Sequence, residues 1–136
     1  MVIDAKKKLF SSKYEVYIHN AKKSTGLDVV ELAKQLEKAG VGEIVVNSID
    51  QDGVMKGYDF DLLRKVREVV SIPVTFMGGA GTLDDVGKVI SEFGIVGVAA
   101  GSLFVFKGKF RAVLINYPTL VDKISLINKY FLSKWS

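Results

Sequence analysis

An α/β fold built on a parallel sheet is predicted by three observations. Strand-like and helix-like stretches alternate along the whole chain, the strand-like ones are rich in β-branched residues, and the connections between them are short. Four βα units in succession imply right-handed crossovers between parallel strands. No linker or shift of composition divides the chain, so residues 1–136 are read as a single domain.

The first unit opens with a strand over Met1–Ala5, followed by a hairpin-like stretch from Lys7 to Asn20. A helix follows, with Leu27, Val30, Ala33, Leu36 and Ala39 near the helical period and Gly40 as its stop. In the second unit, Glu43–Ser48 reads as a strand covered on both faces. Its helix is capped by Asp59, carries Leu62, Leu63, Val66 and Val70 on one face, and ends before Pro73. The third unit runs from Pro73 to Met77, through Gly78-Gly79-Ala80-Gly81, into a helix opened by Thr82 with Asp85 three positions on, a capping box. The fourth has a strand at Ile95–Ala100 and a Gly101-Ser102 turn. After a short segment, a last helix carries Leu120, Ile124, Ile127 and Phe131 on one stripe.

Periodicity alone fits either a small doubly wound sheet or half of an eight-unit barrel. The glycines favour the barrel. A (β/α)8 barrel that grips a phosphate does so with the loops after its last two strands and the N-terminus of a short extra helix, the layout of Gly78–Gly81 followed by Gly101–Phe104. Glycine lets backbone N–H groups approach an anion, and a helix N-terminus adds unpaired donors. One such cluster is equally an ordinary strand-to-helix turn; two in successive units carry more weight.

Composition excludes several classes. At 49% hydrophobic and 25% charged, the 136 residues are ordinary for a soluble globular protein. No uninterrupted apolar run reaches the roughly 18 residues of a membrane span, and an acid at Asp4 interrupts any secretory signal. With no cysteine there is no disulfide framework or thiolate metal site, which points to a reducing cytoplasm. The net charge of +4 is scattered, with Lys6–Lys8 and Lys22–Lys23 as short runs, so a nucleic-acid interface is not expected. Those lysines are either solvated loop charge or an attraction for an anionic small molecule.

Six strings now stand in order: VIDAK at Val2–Lys6, KSTG at Lys23–Gly26, GEIVVNSIDQDG at Gly42–Gly53, GYD at Gly57–Asp59, GGAGT at Gly78–Thr82 and AAGSLF at Ala99–Phe104. In order and spacing the chain resembles the C-terminal half of the cyclase subunit of imidazole glycerol phosphate synthase. The resemblance implies the C-terminal half of a (β/α)8 barrel, a fragment of a longer barrel that closes an imidazole ring in histidine biosynthesis. It implies a substrate with a phosphate at each end, a glutaminase partner supplying ammonia, and no metal or cofactor.

Residue by residue, it implies Asp4 as one of two aspartates that transfer protons, its partner lying in the other half-barrel, and Asp52 as a second active-site acid in this half. Ring closure needs a donor and an acceptor within reach of the substrate, although Asp4 alone could equally be a surface acid at a strand end. Asp50 is expected to be structural. Gly53, Gly78, Gly79, Gly101 and Ser102 match phosphate-contacting positions, the Ser102 hydroxyl adding a side-chain donor. Asn47 is expected to line the substrate, and for Lys6 a substrate contact and a loop charge are both open. Glu43 matches a charged ring that admits ammonia at the bottom of the barrel; read without the resemblance it is a solvated strand-end acid. His19 lies outside the motifs.

Three positions depart from the family pattern. Asn47 replaces a threonine, Met77 a small residue, commonly serine, and Val54 a threonine, so hydroxyls are lost from the mouth. The tail FKGKFRAVLINYP resembles homologues linked to bacterial surface-sugar biosynthesis. Two alternatives follow: a paralogue delivering ammonia for sugar amidation, or, if the chain is complete as given, a non-catalytic phosphate-binding half-barrel. A cut barrel exposes strand edges, so pairing with an N-terminal half-barrel or self-association is expected, with Ile44, Val46, Val74, Phe76 and Val98 among the inward apolar residues left uncovered.

Overall fold

In a computed structural model, residues 1–107 and 110–135 are described; Gly108 and Lys109 of the tail motif lie outside them. Among the described residues the strands are β1 (Val2–Lys7), β2 (Tyr14–Ile18), β3 (Lys23–Asp28), β4 (Ile44–Ser48), β5 (Val74–Met77), β6 (Gly97–Val98), β7 (Phe106–Lys107) and β8 (Ala112–Val113). The helices are α1 (Val29–Lys38), α2 (Phe60–Arg67), α3 (Leu83–Phe93), α4 (Ser102–Val105), α5 (Leu120–Ile127) and α6 (Ser133–Trp135), with a π-helical turn at Asn128–Leu132.

The first six strands make one sheet in the order β3-β2-β1-β4-β5-β6, and β7 pairs with β8 separately. Strands β1, β4, β5 and β6 are mutually parallel, whereas β2 and β3 form an antiparallel excursion beside β1. Four parallel βα units are therefore present, as half of an eight-unit barrel requires.

Local chemistry sets the helix starts. Asp28 accepts hydrogen bonds from the Val30 and Glu31 N–H groups, Asp59 accepts from Leu62, and Thr82 and Asp85 form the expected reciprocal box. Helix α1 nevertheless begins two residues after Leu27, which is half exposed because β3 extends through Asp28. Its core-facing stripe is Val29 and Ala33, buried, with Leu32 and Leu36 partly buried beside them. Strand β6 is shorter than the expected Ile95–Ala100; among the described residues it has only β5 beside it, and Ile95 is exposed.

The period-2 alternation of the strands decides which side chains are covered. Ile3 and Ala5, Ile44 and Val46, and Val74 and Phe76 are buried against Val29, Ala33, Leu62, Leu63, Val66 and Val89 on the helices. Phe76 also packs on Phe93, with ring centroids 5.4 Å apart. Ile44, Val46, Val74 and Phe76 thus form the core and do not line an uncovered interior; Val98, in register with Phe76, is partly buried against the same core. The opposite face, the inward one of a barrel, carries Val2, Asp4, Lys6, Val45, Asn47, Thr75 and Met77 and is substantially polar.

The last helix also differs from expectation. Leu120, Ile124 and Ile127 remain exposed, and the segment is held instead by Tyr130 and Trp135. The Tyr130 hydroxyl donates to Asp84 at 2.8 Å, and the Trp135 indole N–H donates to the Ser91 carbonyl at 3.2 Å. A Cβ at Gly87 would stand 2.2 Å from the Tyr130 ring, so α3 needs glycine there to receive it.

Candidate active site at the strand ends

Parallel register places Asp4 beside Asn47 and Asn47 beside Met77, one row across β1, β4 and β5. The Asn47 Nδ2 donates to Asp4 Oδ1 at 2.9 Å, fixing the orientation of the amide because an ionised carboxylate only accepts. The Asn47 Oδ1 on the other side is buried and has no partner among the described residues. One row below lie Val2, Val45, Thr75 and Gly97, and a Cβ on Gly97 would meet the Thr75 hydroxyl at 1.9 Å. Just before β4, Glu43 accepts from the Thr75 hydroxyl at 2.7 Å, which puts it at the foot of this face.

The loop after β4, residues 49–59, bends over the ends of β5 and β6. The Asp52 N–H donates to Ser48 O at 2.9 Å, the Gly57 N–H to Gly79 O at 2.8 Å, and the Tyr58 hydroxyl to Ala99 O at 2.8 Å. Tyr58 is buried, and burial first, then the nearby Asp85 charge, pushes its hydroxyl above the usual tyrosine range. The loop therefore brings Asp52 toward Asp4. The two acids line one cleft of about 230 Å³ together with Asn20, Ala21, Asn47 and Ile49.

Asn20 and Ala21 escape sequence reasoning. They lie in the β2–β3 turn, where His19, Asn20 and Ala21 all have positive φ, at 54°, 55° and 64°. Asparagine's tolerance of that region was the available signal. Lys6 stands apart from this cleft, its ammonium 5.5 Å from the Tyr17 ring centroid. Asp50 accepts from the Lys7 N–H at 2.9 Å, tying this loop to the end of β1.

The glycine turns divide into two kinds. Gly78 and Gly79 are buried with φ of 93° and 114°, and a Cβ would stand 2.7 Å from Ser48 O and 2.1 Å from Gly57 O respectively. Close packing of two loops thus already demands glycine at both. Gly53, at φ 73°, and Gly101 face open space, with no atom within 4 Å of an added Cβ. Gly101 precedes α4, which begins at Ser102.

Tyr14 anchors the excursion to α2. Its buried hydroxyl lies 2.9 Å from both Asp59 oxygens and 3.1 Å from Asp61. Burial and these carboxylates raise it far above the ordinary tyrosine range.

Fold and site define a parallel βα half-barrel whose strand ends gather two carboxylates and several glycine turns. Residues 1–111 match the family described as "Histidine biosynthesis protein", and the chain belongs to that family. It is 51% identical over 126 residues to a protein of Leptospira borgpetersenii named "Putative imidazole glycerol phosphate synthase subunit HisF", covering 93% of this chain and 50% of that protein. The "Putative imidazole glycerol phosphate synthase subunit hisF3" of Vibrio vulnificus is 51% identical over 121 residues, 89% of this chain and 46% of its own length. The corresponding hisF2 of Pseudomonas aeruginosa is 45% identical over 120 residues, 88% of this chain and 47% of its own. The chain spans about half the length of the curated relatives it matches.

Proposed function

We propose that residues 1–136 form one half-barrel domain of a longer barrel. In that barrel they provide the Asp4 side of a cyclase site of the imidazole glycerol phosphate synthase type, working in the cytoplasm. The observation that carries this reading is the cleft shared by Asp4 and Asp52, with Asn47 holding Asp4 from the neighbouring strand. Asp4 exchanges protons with the substrate during ammonia addition and ring closure, and Asp52 orients the substrate or assists. Asn47 lines the substrate as well as holding Asp4, and Lys6 is left as a rim charge. Gly53, Gly78, Gly79, Gly101 and Ser102 form the grip for one substrate phosphate, with Gly78 and Gly79 also satisfying packing. Glu43 belongs to the entry for ammonia delivered by a glutaminase partner.

The other half of the site would come from an N-terminal half-barrel, or less productively from a second copy. The exposed Leu120, Val121 and Ile124 on α5 support such pairing, because apolar surface of this kind marks a contact face. The test is cyclase turnover with free ammonia in the chain joined to the N-terminal half of its Leptospira relative. Asp4→Asn should lower turnover by about 10²-fold or more; undiminished turnover would make Asp4 structural.

A second reading is favoured by the row Asp4, Asn47, Met77, where an amide and a thioether border the acid instead of hydroxyls. On it, the barrel passes ammonia onward for amidation of a surface sugar. Failure of the joined protein to rescue a histidine auxotroph, with its ammonia-dependent partner reaction intact, would select it. A phosphate-binding half-barrel without catalysis is left if neither activity is found.

A further inference from the structure

We propose that Arg111 is an anion-binding residue of the mouth, supplying the positive charge for a phosphoryl group held beside the Gly53 turn. The proposal rests on reading the glycine turns as a phosphate grip and adds to it Arg111, the last residue of the matched family region.

The hairpin β7–β8 leaves directly from α4. Its return strand is bonded back onto that helix, the Leu114 N–H donating to Val105 O at 2.9 Å and the Asn116 N–H to Phe104 O at 2.8 Å. Just before β8, Arg111 donates from Nη2 to the Gly53 carbonyl at 2.7 Å, across 58 positions of sequence. One strap therefore joins the element that opens at Ser102 to the turn that carries Asp52 and Gly53.

A guanidinium has five N–H donors in a planar fork, and Arg111 has one hydrogen bond among the described residues. No carboxylate lies within ion-pair distance of it there. Next to it, the space a side chain at Gly53 would enter is open. The glycine turns offer only neutral N–H dipoles, while a phosphate group at neutral pH carries more than one negative charge. A guanidinium matches phosphate oxygens two at a time, which an ammonium does not. Arg111 also sits at φ 49°, a backbone state that non-glycine residues avoid and that is found preferentially at functional sites. If the carbonyl bond to Gly53 were the whole role, a neutral amide would serve it equally.

The test is titration of the chain with inorganic phosphate, following the amide resonances of Gly53, Gly101 and Ser102. Saturable shifts are expected in the native chain. Arg111→Gln keeps a donor for the Gly53 carbonyl but removes the charge, and it should weaken phosphate binding about tenfold or more; Arg111→Lys should lose less. Unchanged resonances elsewhere confirm that the variants stay folded. Affinity in Arg111→Gln within about twofold of native would overturn the proposal and leave the phosphate grip standing. No saturable shift at these amides in the native chain would overturn both.

Discussion

Gly79→Ala separates the packing role of the third turn from any role in binding. At φ 114° an alanine costs about 1–2 kcal/mol in backbone strain. Its Cβ would lie 2.1 Å from Gly57 O, where ordinary contact begins at 3.4 Å, so the loop 49–59 must retreat by the difference, about 1.3 Å. That movement breaks the 2.8 Å bond from the Gly57 N–H to Gly79 O, a further loss of about 1 kcal/mol. Together these give about 2–3 kcal/mol, or a melting midpoint lower by roughly 6–10 °C for a domain of this size. Gly101→Ala is the comparison: its φ of −95° suits any residue and its Cβ meets nothing within 4 Å, so stability should change by less than about 0.5 kcal/mol. Urea unfolding of both variants measures the contrast. Equal stability of the two would refute the steric argument. If the contrast is found, loss of phosphate binding on substituting Gly79 says nothing about contact, and Ser102→Ala becomes the informative variant.

Phe76→Ala, removing a fully buried ring that packs on Phe93, should cost about 3–5 kcal/mol by denaturant unfolding; a loss under about 1 kcal/mol would mean the helix-side core is misassigned. Gly87→Val should displace the Tyr130 ring and free the C-terminal helices, read as faster proteolysis after Lys129 with the rest of the domain intact. Asp85 has its folded pKa lowered: burial pushes it up, but the Gly81 and Thr82 N–H groups and the Thr82 hydroxyl outweigh this. Its contribution is therefore present above the unfolded value of 3.8 and lost as pH falls through the lower folded value. The stability gap between native and Asp85→Asn should be constant above about pH 5 and shrink below about pH 4; a gap independent of pH would count against the capping role.

Sequence periodicity and capping chemistry were sufficient for the four βα units, because helix starts at Asp59 and Thr82 depend on residues within one turn of the chain. The boundary at Leu27 departs from the helical period for the opposite reason. Whether that residue joins a strand or a helix depends on β2, whose Glu15 and Tyr17 pair with Asp28 and Ser24 of β3 on either side of it. The stripe on the last helix was legible as a pattern, yet a stripe is buried only where something lies against it, and here Tyr130 and Trp135 make the docking contacts instead.

The sequence by itself supplied the candidates for chemistry: Asp4 and Asp52 as acids, Gly53, Gly101 and Ser102 in glycine turns, and Glu43 at a strand start. Tertiary structure decided how they meet. Strand register set Asn47 against Asp4, since a shift of one residue would turn both to the other face. The same alternation buried Ile44, Val46, Val74 and Phe76 and left the polar row open. The fold of the loop after β4 brought Asp52 into the cleft with Asn20, and the hairpin after α4 carried Arg111 to Gly53. Contacts across 43 and 58 positions leave no periodic trace, because neither partner's local conformation requires the other.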